Sequence, residues 1–171
     1  MDKVFQFYHA TPANIKSLIL QSGALVPQNH NPKEDWMWLL PPMYQATIPK
    51  GIWFCCTLFN GGLPTISPYG KHRVSLPIEN VLQQLGGSIK LYHGKDSIVQ
   101  QNKYVRLMLV KEGDNFECLK HMDQVNPFDN EWLQFNPNGQ ECLAAKRPMW
   151  VEIFCPYAIS TKFGKWDEVA N

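Results

Sequence analysis

Residues 4–12 read Val4-Phe5-Gln6-Phe7-Tyr8-His9-Ala10-Thr11-Pro12, and the fold turns on how this stretch is read. Apolar and polar side chains alternate over Val4–His9, the period of a strand with one buried face. Thr11 carries the side-chain oxygen of an N-cap, and Pro12 suits the first helical position, so a helix is expected directly after the strand. Ile15, Leu18 and Ile19 continue at helical spacing toward Leu25, and Gly23 suits the turn that ends the helix. The chain therefore opens on a strand, a tight turn and a helix.

Outward from this unit the pattern becomes β-rich. Pro27–Pro49 is irregular, with one helical turn expected near Trp36–Leu40. Gly51–Leu58 is uncharged and aromatic, as a buried strand should be. Asn60-Gly61-Gly62, Pro64 and Ser67-Pro68-Tyr69-Gly70 mark a long turn-rich loop. Arg73–Leu76 reads as a short strand, and Ile78–Leu85 as a short helix closed by Gly86-Gly87. Further strands are expected at Ile89–His93, Tyr104–Val110 and Met149–Phe154, with weaker ones at Glu117–Met122, Glu131–Phe135 and Glu141–Ala145. Tyr104–Val110 is the clearest central strand. No repeat or linker interrupts the pattern, so residues 1–171 are expected to form a single α+β domain.

Composition narrows the function classes. The 171 residues are 44% hydrophobic and 18% charged, which is globular rather than disordered. Sixteen Lys and Arg against fifteen Asp and Glu leave a net charge of +1, without long runs of one sign. A polyanion binder that works by counterion release needs a basic face, so nucleic acid is an unfavoured partner. No stretch approaches the roughly 20 apolar residues that span a bilayer, and the start lacks a signal-like apolar run. The five cysteines, at 55, 56, 118, 142 and 155, form no C-x-x-C pair and are expected to be buried thiols in a cytoplasmic protein. With the histidines dispersed as well, no metal site is expected. What needs a reason is the excess of aromatics, 12% of the chain, beside thirteen Pro and eleven Gly.

Three residues break their local pattern. His9 closes the first strand before a helix start, Tyr69 sits in a Ser-Pro-Tyr-Gly turn, and Glu152 lies among Trp150, Val151, Ile153 and Phe154. Each has an ordinary structural role available: a strand-end histidine, an aromatic packed over its loop, and a strand acid facing water. In order along the chain, however, they resemble the His–Tyr–Glu arrangement of ADP-ribosyltransferase folds. Phe7-Tyr8-His9-Ala10-Thr11 is similar to that family's aromatic-aromatic-His-Gly-Thr strand, and Gly51-Ile52-Trp53-Phe54 to its Gly-hydrophobic-Tyr-Phe motif. Ser67 and Tyr69 are candidates for the Ser and Tyr that follow, and Trp150–Phe154 for the late Glu-bearing strand.

The resemblance implies a split antiparallel sheet with few short helices and NAD or a related nucleotide in an aromatic cleft. It implies His9, Tyr69 and Glu152 as catalytic residues: the His on a ribose hydroxyl, the Tyr stacked on nicotinamide, the Glu against oxocarbenium-like charge. Ala10, Thr11, Trp53, Ser67 and Arg73 would contact the cofactor. Two departures stand out: Ala10 replaces the Gly that lets a carboxamide approach the backbone, and Trp53 replaces a Tyr. ADP-ribosyl transfer requires His9, Tyr69 and Glu152 to converge on one cleft.

A longer resemblance covers residues 51–160. Gly51-Ile52-Trp53-Phe54, Phe59-Asn60, Gly62, Pro64 and Ser67-Pro68-Tyr69-Gly70-Lys71 with Arg73 are similar to the C-terminal domain of the phytanoyl-CoA hydroxylase-interacting proteins. That resemblance implies a cytoplasmic protein-interaction module with no established enzymatic activity. Its partner would be a protein docked on the 60–72 loop. Phosphate-loop, dinucleotide-fold and Gly-x-Ser-x-Gly hydrolase motifs are absent from the sequence. A Cys–His nucleophile pair, Cys55 or Cys56 with His72 or His93, is the remaining enzymatic alternative.

Overall fold

The structure is a computed structural model and describes residues 6–29, 40–56, 69–94, 104–125 and 150–169. Its first strand, β1 (Gln6–Thr11), runs two residues further than the sequence suggested. Thr11 is the reason: it pairs with His72 as the last strand residue and is 3% exposed, so its hydroxyl caps nothing. Pro12 takes the N-cap place instead, with an extended ψ of 164° and no side-chain cap. Helix α1 (Ala13–Ser22) follows and ends on Gly23, whose φ of 73° closes the last turn with an N–H donated to the Ile19 carbonyl. A two-residue strand β2 (Ala24–Leu25) comes next.

Helix α2 (Pro42–Gln45) is a single turn begun by Pro41-Pro42, within the stretch expected to be irregular. Then come β3 (Ile52–Cys56), β4 (His72–Pro77), α3 (Ile78–Gln84), β5 (Ile89–Gly94) and β6 (Tyr104–Lys111), all within a residue or two of their sequence bounds where described. Pro77 ends β4 by lacking a ladder donor, and Glu79 places an acid in the first turn of α3. Glu117–Met122 is not the strand expected there. Glu117–His121 is a 3-10 helix, and the chain extends only from Met122, in β7 (Met122–Val125). Strands β8 (Trp150–Cys155), β9 (Ile159–Ser160) and β10 (Lys165–Glu168) complete the described residues. The expected strands at Glu131–Phe135 and Glu141–Ala145, and residues 36–39 of the expected helical turn, lie outside them.

Eight strands join in one sheet in the order β10-β4-β1-β3-β8-β6-β5-β7, while β2 and β9 form a small antiparallel pair. Every neighbouring pair in the large sheet is antiparallel except β6 and β8. Five antiparallel strands thus meet three across a parallel seam. The architecture is α+β: a large, mostly antiparallel sheet with few helices.

Paired residues on neighbouring strands share a face, so the register assigns every side chain. On one face Phe7, Phe54, Val74, Leu76, Leu107 and Ile153 pack beneath Ile19 of α1 and Val81 of α3. This helix-covered face carries the main core. On the other, Met108, Val110 and Phe154 pack with Leu40, Ile48, Cys118 and Met122 near α2 and the 3-10 helix. This second face is apolar around Met108, Val110 and Phe154, whereas Arg106↔Glu152 crosses the seam beside them. Toward β10 it carries Glu152, Cys55, Tyr8, Ser75 and Arg73.

Candidate functional site

The sheet parts between its third and fourth strands, β1 and β3. β1 pairs with β4 along all its residues, from Gln6↔Pro77 to Thr11↔His72. Its described pairing with β3 covers only Phe7↔Cys56 and Tyr8↔Cys55. Beyond Tyr8, residues 9–11 stay with β4 while Ile52, Trp53 and Phe54 stay with β8. A parting therefore opens between β1 and β3 at the candidate residues His9, Ala10, Thr11 and Trp53.

His9 fills the floor of this parting. Its Nδ1 lies 2.9 Å from the Trp53 carbonyl oxygen, which can only accept, so Nδ1 carries the proton. The ring also meets Phe54 edge-on, with centroids 6.0 Å apart. Burial holds its pKa below the ordinary value of 6.5, against a smaller opposing effect of the Trp53 carbonyl. The imidazole is thus neutral near pH 7, with Nε2 left as an acceptor. Its packing on Phe54 and its tie to Trp53 hold the two strands at a fixed separation.

Ala10 presents its backbone to the same gap. Pro77 has no N–H, so Gln6↔Pro77 cannot be an exchanging pair of the β1–β4 ladder. Alternation then gives Phe7, His9 and Thr11 to β4 and turns the N–H and C=O of Tyr8 and Ala10 toward β3. Tyr8 meets Cys55 there, whereas Ala10 lies past the last pair. Trp53, on the second face, packs against Phe154 with ring centroids 5.1 Å apart.

Glu152 and Arg73 are held elsewhere. Glu152 pairs with Cys55 on one side and Arg106 on the other, which places it on the second face, whereas His9, paired with Val74, belongs to the helix-covered face. The Arg106 Nε donates to Glu152 Oε2 at 2.9 Å, and the two side chains are 13% and 18% exposed. The acid therefore does not face water, as an ordinary strand acid would. Arg73 forks onto the Asp167 carboxylate, its Nε 3.0 Å from Oδ1, and lies over the Tyr8 ring at 5.1 Å.

Tyr69 is 65% exposed at the rim. Its position is fixed by Gly70, with a φ of 139°, whose Cα presses so closely on the Thr11 and Pro12 backbone that any Cβ would collide. Ser67 lies outside the described residues. The structure thus brings His9, Ala10, Thr11, Trp53 and Tyr69 to one end of β1, and it does not bring His9 and Glu152 to the same face.

Sequence reasoning missed Arg106, whose only signal was a charge in the apolar run Val105-Arg106-Leu107. Among the described residues no group of three or more His, Cys, Asp or Glu is placed to hold a metal. No described helix is long and apolar enough to cross a membrane. Cys118 and Cys155 are buried free thiols, pushed by burial up to about 11 and about 12. That is the opposite of a nucleophile's activation, and Cys55 is a half-buried free thiol. No family model, curated protein or solved structure matches the chain.

Proposed function

We propose that the chain binds NAD or a related nucleotide in the parting between β1 and β3, and that it binds without ADP-ribosyl transfer. The observation that carries this reading is the early end of the β1–β3 ladder, after Tyr8↔Cys55. It directs the Ala10 N–H and C=O into a gap floored by His9 and bordered by Trp53. A planar carboxamide presents one acceptor and two donors, which complements a strand's free edge. The ADP-ribosyltransferase resemblance of Phe7–Thr11 and Gly51–Phe54 gives this gap its ligand class. Against transfer stands the placement of His9 and Glu152 on opposite faces, with Glu152 engaged by Arg106.

Thermal-shift measurements with NAD and ADP-ribose test the reading. A ligand at 100 times its dissociation constant stabilises the native state by about 2.7 kcal/mol. Ala10→Gly, which removes the methyl group beside the gap, should tighten binding. No shift with either ligand would overturn the reading. NAD-dependent labelling that disappears in Glu152→Gln would instead overturn its non-catalytic half.

A second reading rests on Tyr69. An aromatic ring 65% exposed, on a turn pinned by Gly70 against Thr11 and Pro12, suits a docking anchor for a protein. This is the cytoplasmic interaction module that the phytanoyl-CoA hydroxylase-interacting protein resemblance implies. An absence of nucleotide binding would favour it.

A further inference from the structure

Among the described strands β10 is one outer edge of the sheet, with β4 as its neighbour. Its backbone orientation follows from the β1–β4 ladder. Val74 and His72 exchange hydrogen bonds with His9 and Thr11, so Arg73 and Ser75 turn theirs toward β10. Arg73↔Asp167 and Ser75↔Lys165 are then the exchanging pairs of β10. The Val169 N–H, donated to the Lys71 carbonyl at 2.6 Å, continues the same alternation. Trp166 and Glu168 therefore direct their N–H and C=O groups outward, away from β4.

Charge on an edge strand ordinarily deters another strand from adding to it. The order of charges in Lys165-Trp166-Asp167-Glu168 instead complements a second copy of itself. Across a twofold axis only Trp166 and Glu168 of β10 can exchange, which restricts the register. With Trp166 opposite the partner's Trp166, Lys165 falls opposite the partner's Asp167 on both sides of the axis. The other registers set Asp167 against the partner's Asp167, or Glu168 against the partner's Glu168, and like charges directly opposite are destabilising. The flanking surface is apolar: Phe163, on the turn into β10, is 62% exposed. On α1, Lys16 lies over Trp166 at 5.2 Å, and Leu20, one helical turn beyond it, is 56% exposed. The other outer strand, β7, has Asp123 as its one charge and no such self-complementarity.

We propose that this edge is a dimer interface, at which β10 adds antiparallel to β10 of a second copy with Trp166 at the twofold axis. The sheet then runs on through both copies, and ion pairs of Lys165 with the partner's Asp167 flank the axis. Asp167 keeps its fork with Arg73, because a carboxylate has acceptor sites for both cations. The interface is separate from the β1–β3 parting and does not depend on the nucleotide reading.

Sedimentation equilibrium of the full chain is the test, with Lys165→Asp and Lys165→Arg beside the wild type. The wild type and Lys165→Arg should dimerise. Lys165→Asp turns two attractive cross-strand pairs into repulsive ones and should raise the dimer dissociation constant on the order of tenfold or more. Amide hydrogen exchange reads the register. The Trp166 N–H should be protected in the wild-type dimer and exchange freely in Lys165→Asp. The Asp167 N–H, which faces Arg73, should stay protected in both, so that a change at Trp166 alone is not unfolding. A monomeric wild type, a dimer that Lys165→Asp leaves intact, or a Trp166 amide unprotected in the wild-type dimer would each overturn the proposal.

Discussion

The two faces of the sheet are built on different principles. The helix-covered face is an apolar layer broken at the β1–β4 end by His9, Thr11 and His72, and in it Phe7, Phe54, Val74 and Leu76 are at most 1% exposed. The other face is apolar around Met108, Val110 and Phe154, but it holds Arg106–Glu152 across the seam and Arg73–Asp167 toward β10, whose geometry depends on pairing. An apolar layer tolerates changes of partner if volume is kept, because dispersion and burial are non-directional. A charge pair has no such freedom, since loss of one member strands the other. The first face accounts for stability, and the second is where specificity can be encoded.

Perturbations that separate these two roles rank by expected effect. The largest is Phe54→Ala on the helix-covered face, expected to cost about 3–5 kcal/mol in urea unfolding. A cost below about 1 kcal/mol would show that this face is not the stabilising one. Next comes Arg106→Met, which leaves the Glu152 charge uncompensated. Breaking a fully buried pair costs about 3–5 kcal/mol, and the residual exposure of both side chains places this one at about 3 or below. The double variant Arg106→Met with Glu152→Leu should recover most of that loss. If it does not, the second face owes its order to packing rather than to pairing.

The smallest effect belongs to His9. Its folded-state pKa is lowered, so the stability tied to its neutral form is present above the unfolded value of 6.5 and is lost as pH falls toward the folded value. One such group changes unfolding free energy by at most about 1.4 kcal/mol per pH unit. His9→Gln should flatten that part of the acid limb in a pH series of thermal melts. An unchanged slope below pH 6.5 would mean that the ring takes up its proton as readily in the folded state as in the unfolded one.

Much of the fold could be read from the sequence because its strands are short and strongly patterned. His72–Pro77 alternates buried and half-buried, and Tyr104–Lys111 pairs on both sides. The misreadings have local causes. Thr11 has the chemistry of a cap, but pairing with His72 keeps it in the strand, and Pro12 shifts the helix start by one residue. Glu117–Met122 alternates weakly enough to suit either a strand or a tight helical turn, and burial of Cys118 decided for the turn.

The candidate residues of the first strand were legible because a motif of consecutive residues carries them. Which face Glu152 takes was not. Face depends on register against Cys55 and Arg106, which lie 97 and 46 positions away, and no local pattern encodes such a pairing.

The place of β8 has a consequence for how the protein is made. Trp150–Cys155 comes late in the chain yet lies between β3 and β6, and among the described strands it joins β4-β1-β3 on one side to β6-β5-β7 on the other. During synthesis β4-β1-β3 and β6-β5-β7 can each emerge and pair, presenting an unpaired inner edge to their surroundings until residue 150 arrives. Order of translation and order in space run against each other here. The sheet is stitched together in its middle after all its other strands but the edge strand β10 have been made.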